Sequence, residues 1–315
     1  MCLSKIAVKS NEEPKFSEFN SIEIDDKKMF QSYTDRFQPL SCEYNFANVY
    51  CWQEAYNTYW RIYKERLVIY NEVNKFSFLP LGEEMTPKEL VFFSLDMGKK
   101  GLGTDIGVVP SQYLEKYPET ELFYTITDER GCAEYLYSVE ALCDLKGSKL
   151  HKKKNLISQF HKQNPNFSVK LMSGKFITAA KVLSDEIFNG HERFINGIED
   201  EHMALIKAFD EFEEVGLDGL VLLVGDDLVA FSIFSPLTHD IYDIHFEKSC
   251  YHFKGAAQVI NHETAKYLRE KCKYLNREQD LGIQGLRQAK MSYDPENLHR
   301  VHRLVFKGYR PSLCQ

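Results

Sequence analysis

Apolar and polar positions follow two rhythms along this chain, and each change of rhythm marks an element. Thr58–Tyr63, Leu67–Tyr70 and Phe76–Leu79 are short aromatic and β-branched runs joined by tight polar turns, which predicts three strands. Thr86-Pro87-Lys88-Glu89 is a capping box with proline at the first helical position, so a helix opens there and stops at Gly101. TDIGVV and LFYTITD predict further strands. A basic run follows, and Asn164-Pro165-Asn166 marks a loop, which places a domain boundary at about residue 170.

The second half repeats the theme. GHERFINGIEDEHMALIKAFDEFEEVG predicts an amphipathic helix with Leu205, Ile206, Phe209 and Phe212 inward and acids outward. LDGLVLLV and LVAFSIF flank a turn at Gly225-Asp226-Asp227 and form a hairpin, and DIYDIHFEKS is a third strand. Lys254-Gly255-Ala256-Ala257 then leads into a helix with Ile260, Leu268, Cys272 and Leu275 along one side. Helix, hairpin, strand, glycine turn, helix, strand is an α+β order with a rough echo in the first half, although no residue-level repeat is visible. Two domains, 1–170 and 171–315, are expected.

Composition narrows the function classes. With 43% apolar and 27% charged residues the chain is an ordinary globular protein, and a net charge of −7 argues against a general nucleic-acid coat while allowing a local basic patch. No apolar run approaches the ~20 residues that cross a bilayer. The start, MCLSKIAVKSNEEPKF, lacks a signal peptide's apolar core, so cytoplasm is the expected location. The eight cysteines form no CxxC pair, and no metal site is expected.

Four groups of residues could carry chemistry. His252-Phe253-Lys254-Gly255-Ala256-Ala257 ends a strand in small residues and opens a helix, where free backbone N–H groups bind phosphate well; a tightly packed turn uses the same residues. In Asp243-Ile244-His245-Phe246-Glu247-Lys248, strand alternation puts Asp243, His245 and Glu247 on one face, lining a cleft or facing solvent, and in a cleft His245 or Glu247 could serve as a general base. Lys146, Lys149, Lys152, Lys153 and Lys154 form a basic island, either a solvated helix face or a phosphate-binding patch. Finally, YLNREQDLGIQGLRQAKMSYDP (Tyr274–Pro295) interleaves acids, bases and two glycines; Arg287 and Lys290 share a helix face, and Glu278 and Asp280 pair with them or with a ligand.

That last stretch, with IHFEKS and EYLYSVEALCDLKGSKLHKKKN, resembles a bacterial family related to the C-terminal catalytic domain of phosphatidylglycerol lysyltransferases, from about Asp35 to the end. The resemblance implies two tandem GNAT-like (acyl-CoA N-acyltransferase) domains with the active cleft mainly in the second. It carries the family's long motif onto Asn276, Glu278, Asp280, Gly282, Arg287 and Lys290, and its strand motif onto His245, Glu247 and Lys248. Gly255 and Ala257 match the superfamily's pyrophosphate loop, but His252 stands where Gln or Arg is usual, which bears on coenzyme A binding. A transferase is implied, moving an acyl or aminoacyl group from acyl-coenzyme A or aminoacyl-tRNA to an amine or hydroxyl on a small-molecule, peptide or lipid acceptor. In it Glu247 or His245 takes the acceptor's proton, and Tyr293 is the candidate acid. The rival expectation is a ligand-binding module that kept the fold and lost the chemistry.

Overall fold

A computed structural model describes residues 18–190 and 197–308, so the part of the expected amphipathic helix at residues 191–196 lies outside the described residues. The first elements are β1 (Asn20–Ser21), α1 (Lys27–Phe37), α2 (Phe46–Tyr56), β2 (Thr58–Tyr63), β3 (Arg66–Asn71), β4 (Phe76–Phe78), α3 (Pro87–Lys99), β5 (Asp105–Pro110), α4 (Ser111–Lys116), α5 (Thr120–Phe123) and β6 (Tyr124–Asp128). Next come β7 (Glu134–Ser138), α6 (Val139–Asp144), α7 (His151–Gln163), β8 (Phe167–Leu171), α8 (Lys175–Gly190), α9 (Ile198–Asp210) and α10 (Phe212–Val215). The chain then runs through β9 (Asp218–Val224), β10 (Asp227–Pro236), β11 (Ile241–Ser249), α11 (Ala256–Leu268), β12 (Tyr274–Gln279), α12 (Gln284–Met291), β13 (Asn297–His299) and β14 (Val301–Phe306).

The strands form two mixed seven-stranded sheets flanked by helices, the α+β architecture expected from the sequence. One runs β1-β2-β3-β4-β5-β14-β6; the other, from its far edge, runs β8-β9-β10-β11-β12-β7-β13. The two orders are the same, and each has a strand of the other half inserted between its fifth and sixth strands. β7 leaves the first half to pair with β12 and β13, and β14 returns to pair with β5 and β6. The halves are therefore tied by a reciprocal strand exchange that neither can make alone.

The boundary expected at about residue 170 falls within β8, the edge strand of the second sheet. The Asn164-Pro165-Asn166 loop joins α7 to β8, and β8 pairs along β9, while Ile157 and Phe160 of α7 pack beside Val259 and Ile260 of α11. The second sheet is made of β7 together with β8–β13.

Three main cores separate the layers. The middle one takes Leu67 and Ile69 from β3, Phe46 and Tyr50 from α2, Leu205 and Phe209 from α9, and Val221, Phe231 and Ile233 from the second sheet. Val68, Tyr70, Leu90 and Phe93 fill the outer side of the first sheet, and Phe234, Ile244, Val259 and Ile260 that of the second. Each such aliphatic or aromatic side chain contributes about 1.5–3 kcal/mol by burial. Because both sheets are covered on both faces, adjacent strand residues such as Leu67 and Val68 are buried in different cores, which blurs simple alternation. Leu205, Phe209 and Phe212 point inward as expected, whereas Ile206 is half-buried.

The local signals at α3 hold: the Glu89 amide donates to Thr86 Oγ1 (3.4 Å), the Thr86 amide donates to Glu89 Oε2 (2.8 Å), and Gly101 takes φ 73° beyond the helix end.

Candidate functional site

β11 and β12 lie side by side in parallel, with Ile241 opposite Tyr274, Tyr242 opposite Leu275 and Asp243 opposite Asn276. Beyond that register, side chains rather than a backbone ladder bridge the two strands. Both strands are irregular at this point. In β11, Phe246 is opposite Ile233 and Ile244 is opposite Phe234, so His245 is the extra residue of a β-bulge. In β12 the register against β7 slips between Asn276 and Gln279, and Glu278 takes φ 55°. Bulges re-aim side chains, and these two aim His245 and Glu278 at each other: His245 Nδ1 lies 3.2 Å from Glu278 Oε1.

The bulge also overturns the expectation that Asp243, His245 and Glu247 share a face. An extra residue reverses the alternation, so Ile244 and Phe246 enter different cores. Asp243 then faces α2, where Asn45 Nδ2 donates to its Oδ2 (2.7 Å). Glu247 faces α11, where Asn261 Nδ2 donates to its Oε2 (3.1 Å).

On the α2 side lies a buried polar cluster. His245 Nε2 sits 2.8 Å from Ser235 Oγ, and Ser235 in turn donates to Asn45 Oδ1 (3.3 Å). Asn45 is placed by its own cap of α2, its Oδ1 accepting from the Ala47 amide. Glu134, fully buried on β7, accepts from Ser41 Oγ, the Cys42 amide (2.8 Å) and Asn276 Nδ2. Lys290 donates to the carbonyls of Arg277 and Gln279, which locks α12 to the end of β12.

Burial sets the charges. His245, its side chain only 3% exposed, is pushed down to about 4 by desolvation, against the pull of Asp243. Desolvation pushes Glu278 up to about 8, with Lys290 opposing and Glu134 adding to the rise. Lys290 is itself pushed down to about 8 by burial, with Glu278 opposing. Burial also raises Asp243 well above the usual carboxylate range. The result is a neutral imidazole touching a carboxyl that titrates near neutrality, the pairing of perturbed groups that marks acid–base sites.

On the α11 side, Arg277 Nη2 donates to Glu247 Oε1 (2.8 Å), and its guanidinium lies 4.9 Å from the Tyr293 ring centroid and 5.7 Å from that of Tyr137. Tyr293 is buried here, and burial pushes it up to about 12. Asp280 is clamped by Arg287 through two hydrogen bonds (2.8 and 2.9 Å), by Arg130 (3.0 Å) and by Tyr135 (2.6 Å). Burial opposes its charge, yet these donors hold it well below the usual carboxylate range.

The structure thus brings together His245 with Glu278, Glu247 with Arg277 beside Tyr293, and Asp280 with Arg287, while Lys248 turns away to Glu201 (2.7 Å). The turn before α11 is not joined to this cluster by any of these contacts. Gly255 has φ 94° and backs onto α7, where a Cβ would meet the Leu156 carbonyl oxygen at 2.7 Å, so the missing side chain admits a helix. Ala256 is buried, and His252 is exposed with its ring 3.8 Å from that of Tyr251. In the basic island, Lys146 pairs with Asp144 and Lys149 with Asp294 (2.6 and 2.7 Å), Lys153 lies over the Tyr293 ring, and Lys152 and Lys154 are exposed. A shallow groove runs along Lys146, His151 and Lys154.

Asn45, Ser235, Glu134 and Arg277 were not singled out as site residues from sequence. Asn45 and Ser41 look like ordinary helix caps, and only Glu134, a lone acid opening the apolar run EYLYS, carried a signal that a buried partner was needed.

The model of a family described as "Phosphatidylglycerol lysyltransferase, C-terminal" matches residues 34–303. A crystal structure of a conserved protein of unknown function from Bacteroides thetaiotaomicron superposes with a TM-score of 0.85 at 29% identity, covering 92% of this chain and 99% of that one. The C-terminal domain of a putative lysylphosphatidylglycerol synthetase from Agrobacterium fabrum gives a TM-score of 0.62 at 14% identity over 90% and 92% of the two chains. FemX gives 0.52 at 10% identity over 90% and 96%. The last two share the fold. Among curated proteins there is no match.

Proposed function

The chain belongs to the phosphatidylglycerol lysyltransferase C-terminal family, and we propose that it is an aminoacyltransferase whose reaction takes place where β11 and β12 part. The observation that carries this reading is the contact between His245, held neutral, and Glu278, held near neutrality, at the end of the parallel register. The acceptor is a hydroxyl or amine. As its oxygen or nitrogen attacks the acyl carbonyl, its proton passes to the His245–Glu278 pair, and the same proton goes to the leaving oxygen of the donor when the ester bond breaks. Strand N–H groups at the end of the ladder are the proposed donors to the developing oxyanion.

His245 is preferred over Glu247 as the base because His245 is a neutral imidazole that contacts a second perturbed acid, Glu278, whereas Glu247 is tied up in an ion pair with the Arg277 guanidinium. Tyr293, on the Arg277 side of the sheet, then serves packing and electrostatics around that pair. Aminoacyl-tRNA is the proposed donor, its phosphates lying along the Lys146–Lys154 groove, so that affinity falls steeply with salt. Acyl-coenzyme A is the alternative, its pyrophosphate at the His252–Ala257 turn that opens α11.

The test is transfer of a labelled aminoacyl group from charged tRNA to mixed lipid, amine and hydroxyl acceptors by wild type, His245→Gln and Glu247→Gln. Loss of transfer in the first with tRNA affinity kept is expected. Loss only in the second would return the base to Glu247, and no transfer by the wild type to any acceptor would favour a binding module.

A further inference from the structure

The segment that follows Asp280 has features the transfer reaction does not use. Leu281, Ile283 and Met291 are 60%, 43% and 49% exposed. Residues 281–285 are all exposed, as are Gln288, Ala289, Met291 and Ser292, and none of these carries a charge. In a chain with 27% charged residues, an uncharged exposed ridge with three large aliphatic side chains stands out. Nor is it a floppy tip. Leu281 and Gly282 take φ 51° and 76°, a conformation unfavourable for leucine. They are fixed by hydrogen bonds from the Leu281 amide to the Gly131 carbonyl (2.9 Å), the Gly282 amide to Asp280 Oδ1 (2.8 Å) and the Ile283 amide to the Asp280 carbonyl (2.9 Å). The backbone is held so that an apolar side chain projects.

The rim is basic. Arg130 and Arg287, each about a third exposed, share the single carboxylate of Asp280 and leave one positive charge over. At the far end of α12, Lys153 lies over Tyr293, and Lys149 reaches Asp294. Exposed Lys152 and Lys154 continue the positive edge along α7. Nucleic acid would take the bases and has no use for exposed leucine and isoleucine. An acidic bilayer surface takes both, since aliphatic side chains enter the interface while flanking Lys and Arg meet anionic headgroups.

We propose that the Leu281–Met291 ridge, with Arg130, Arg287 and the start of α7, docks this protein on an anionic membrane surface. The α7 lysines are shared with the proposed tRNA contact, whereas Leu281 and Ile283 are not, so vesicle binding measured without turnover separates this proposal from the catalytic reading. The experiment is co-sedimentation of the full chain with vesicles of phosphatidylcholine alone or of equimolar phosphatidylcholine and phosphatidylglycerol, at low and high salt. Wild type is expected to partition onto the anionic vesicles and to be released by salt. The Leu281→Glu/Ile283→Glu double variant, with unchanged thermal midpoint, is expected to lose about tenfold or more in partitioning, and Lys152→Glu/Lys154→Glu a smaller, salt-sensitive part. Wild type that stays in the supernatant with both vesicles overturns the proposal. So does a double variant that partitions like wild type, loses only tRNA binding, or loses only self-association in sedimentation velocity.

Discussion

Among the described residues each half of the molecule contains one parallel strand pair, and the two pairs are furnished differently. In the first, β4 and β5 meet at Phe76–Asp105, Ser77–Ile106 and Phe78–Gly107; in the second, β11 and β12 meet over an equally short register. Past its register the first pair closes on itself. The Leu79 amide donates to the Gly107 carbonyl (2.9 Å), Leu81 pairs with Leu67, and the flanking sequences FLPL and IGVV contain no ionisable side chain. Past its register the second pair is bridged by His245, Glu247, Arg277 and Glu278. One topology gives two equivalent places, one closed by backbone pairing among apolar and aromatic residues and the other bridged by charged and titratable side chains. The fold supplies the place, and the side chains decide whether chemistry happens there.

The largest expected effect lies in rate. His245→Gln should lower transfer by about 10²–10⁴-fold, the usual weight of a general base, with secondary structure intact by circular dichroism. Ile106→Ala, in the counterpart strand, should cost about 2–5 kcal/mol in denaturant unfolding while leaving the turnover of the folded fraction unchanged. A rate loss of equal size in both variants would erase the distinction between the halves.

Next comes stability on the polar side. Arg277→Ala strands Glu247 without its buried partner and should destabilise by about 3–5 kcal/mol. The Arg277→Ala/Glu247→Ala double variant should recover part of this in urea titrations, and full additivity would show that the pair is not coupled.

The pH dependence sharpens the same contrast. Glu278 rises from 4.5 to about 8 on folding, so the native state holds its proton longer and stability falls as pH rises through that window. His245 drops from 6.5 to about 4, so between those values stability gained from it rises with pH and offsets the Glu278 slope. Glu43, pushed up to about 8 mainly by burial, adds to the downward slope. A net decline should therefore appear between about pH 6.5 and 8, and Glu278→Gln should flatten it in thermal scans, while Ile106→Ala should shift the curve without changing its shape.

The smallest effect belongs to the surface. Lys152→Ala/Lys154→Ala should move stability by less than about 0.5 kcal/mol yet weaken binding of charged tRNA and its salt dependence, measured by filter binding at two ionic strengths.

Much of the fold could be read locally. The Thr58–Tyr63 strand matches β2, the capping box opens α3, and DIYDIHFEKS becomes β11. The α+β class and the echo between halves also hold, now visible as one strand order used twice. What escaped is non-local. Nothing in EYLYS says that β7 crosses to the other sheet, and nothing in a period of two reveals that His245 is an extra residue that sends Asp243 and Glu247 to opposite faces. The same holds for Asn45 and Ser235, which are 190 positions apart and meet only because α2 packs against the second sheet. Glu278 was legible through its motif, but its perturbed protonation follows from burial that no spacing encodes.

The most direct measurement is single-turnover transfer from labelled aminoacyl-tRNA by wild type and His245→Gln, with tRNA affinity and thermal midpoint recorded on the same samples. Transfer lost while affinity and midpoint stay near wild type is the predicted result. Transfer at the wild-type rate in His245→Gln would contradict the assignment of the second strand pair as the reaction site.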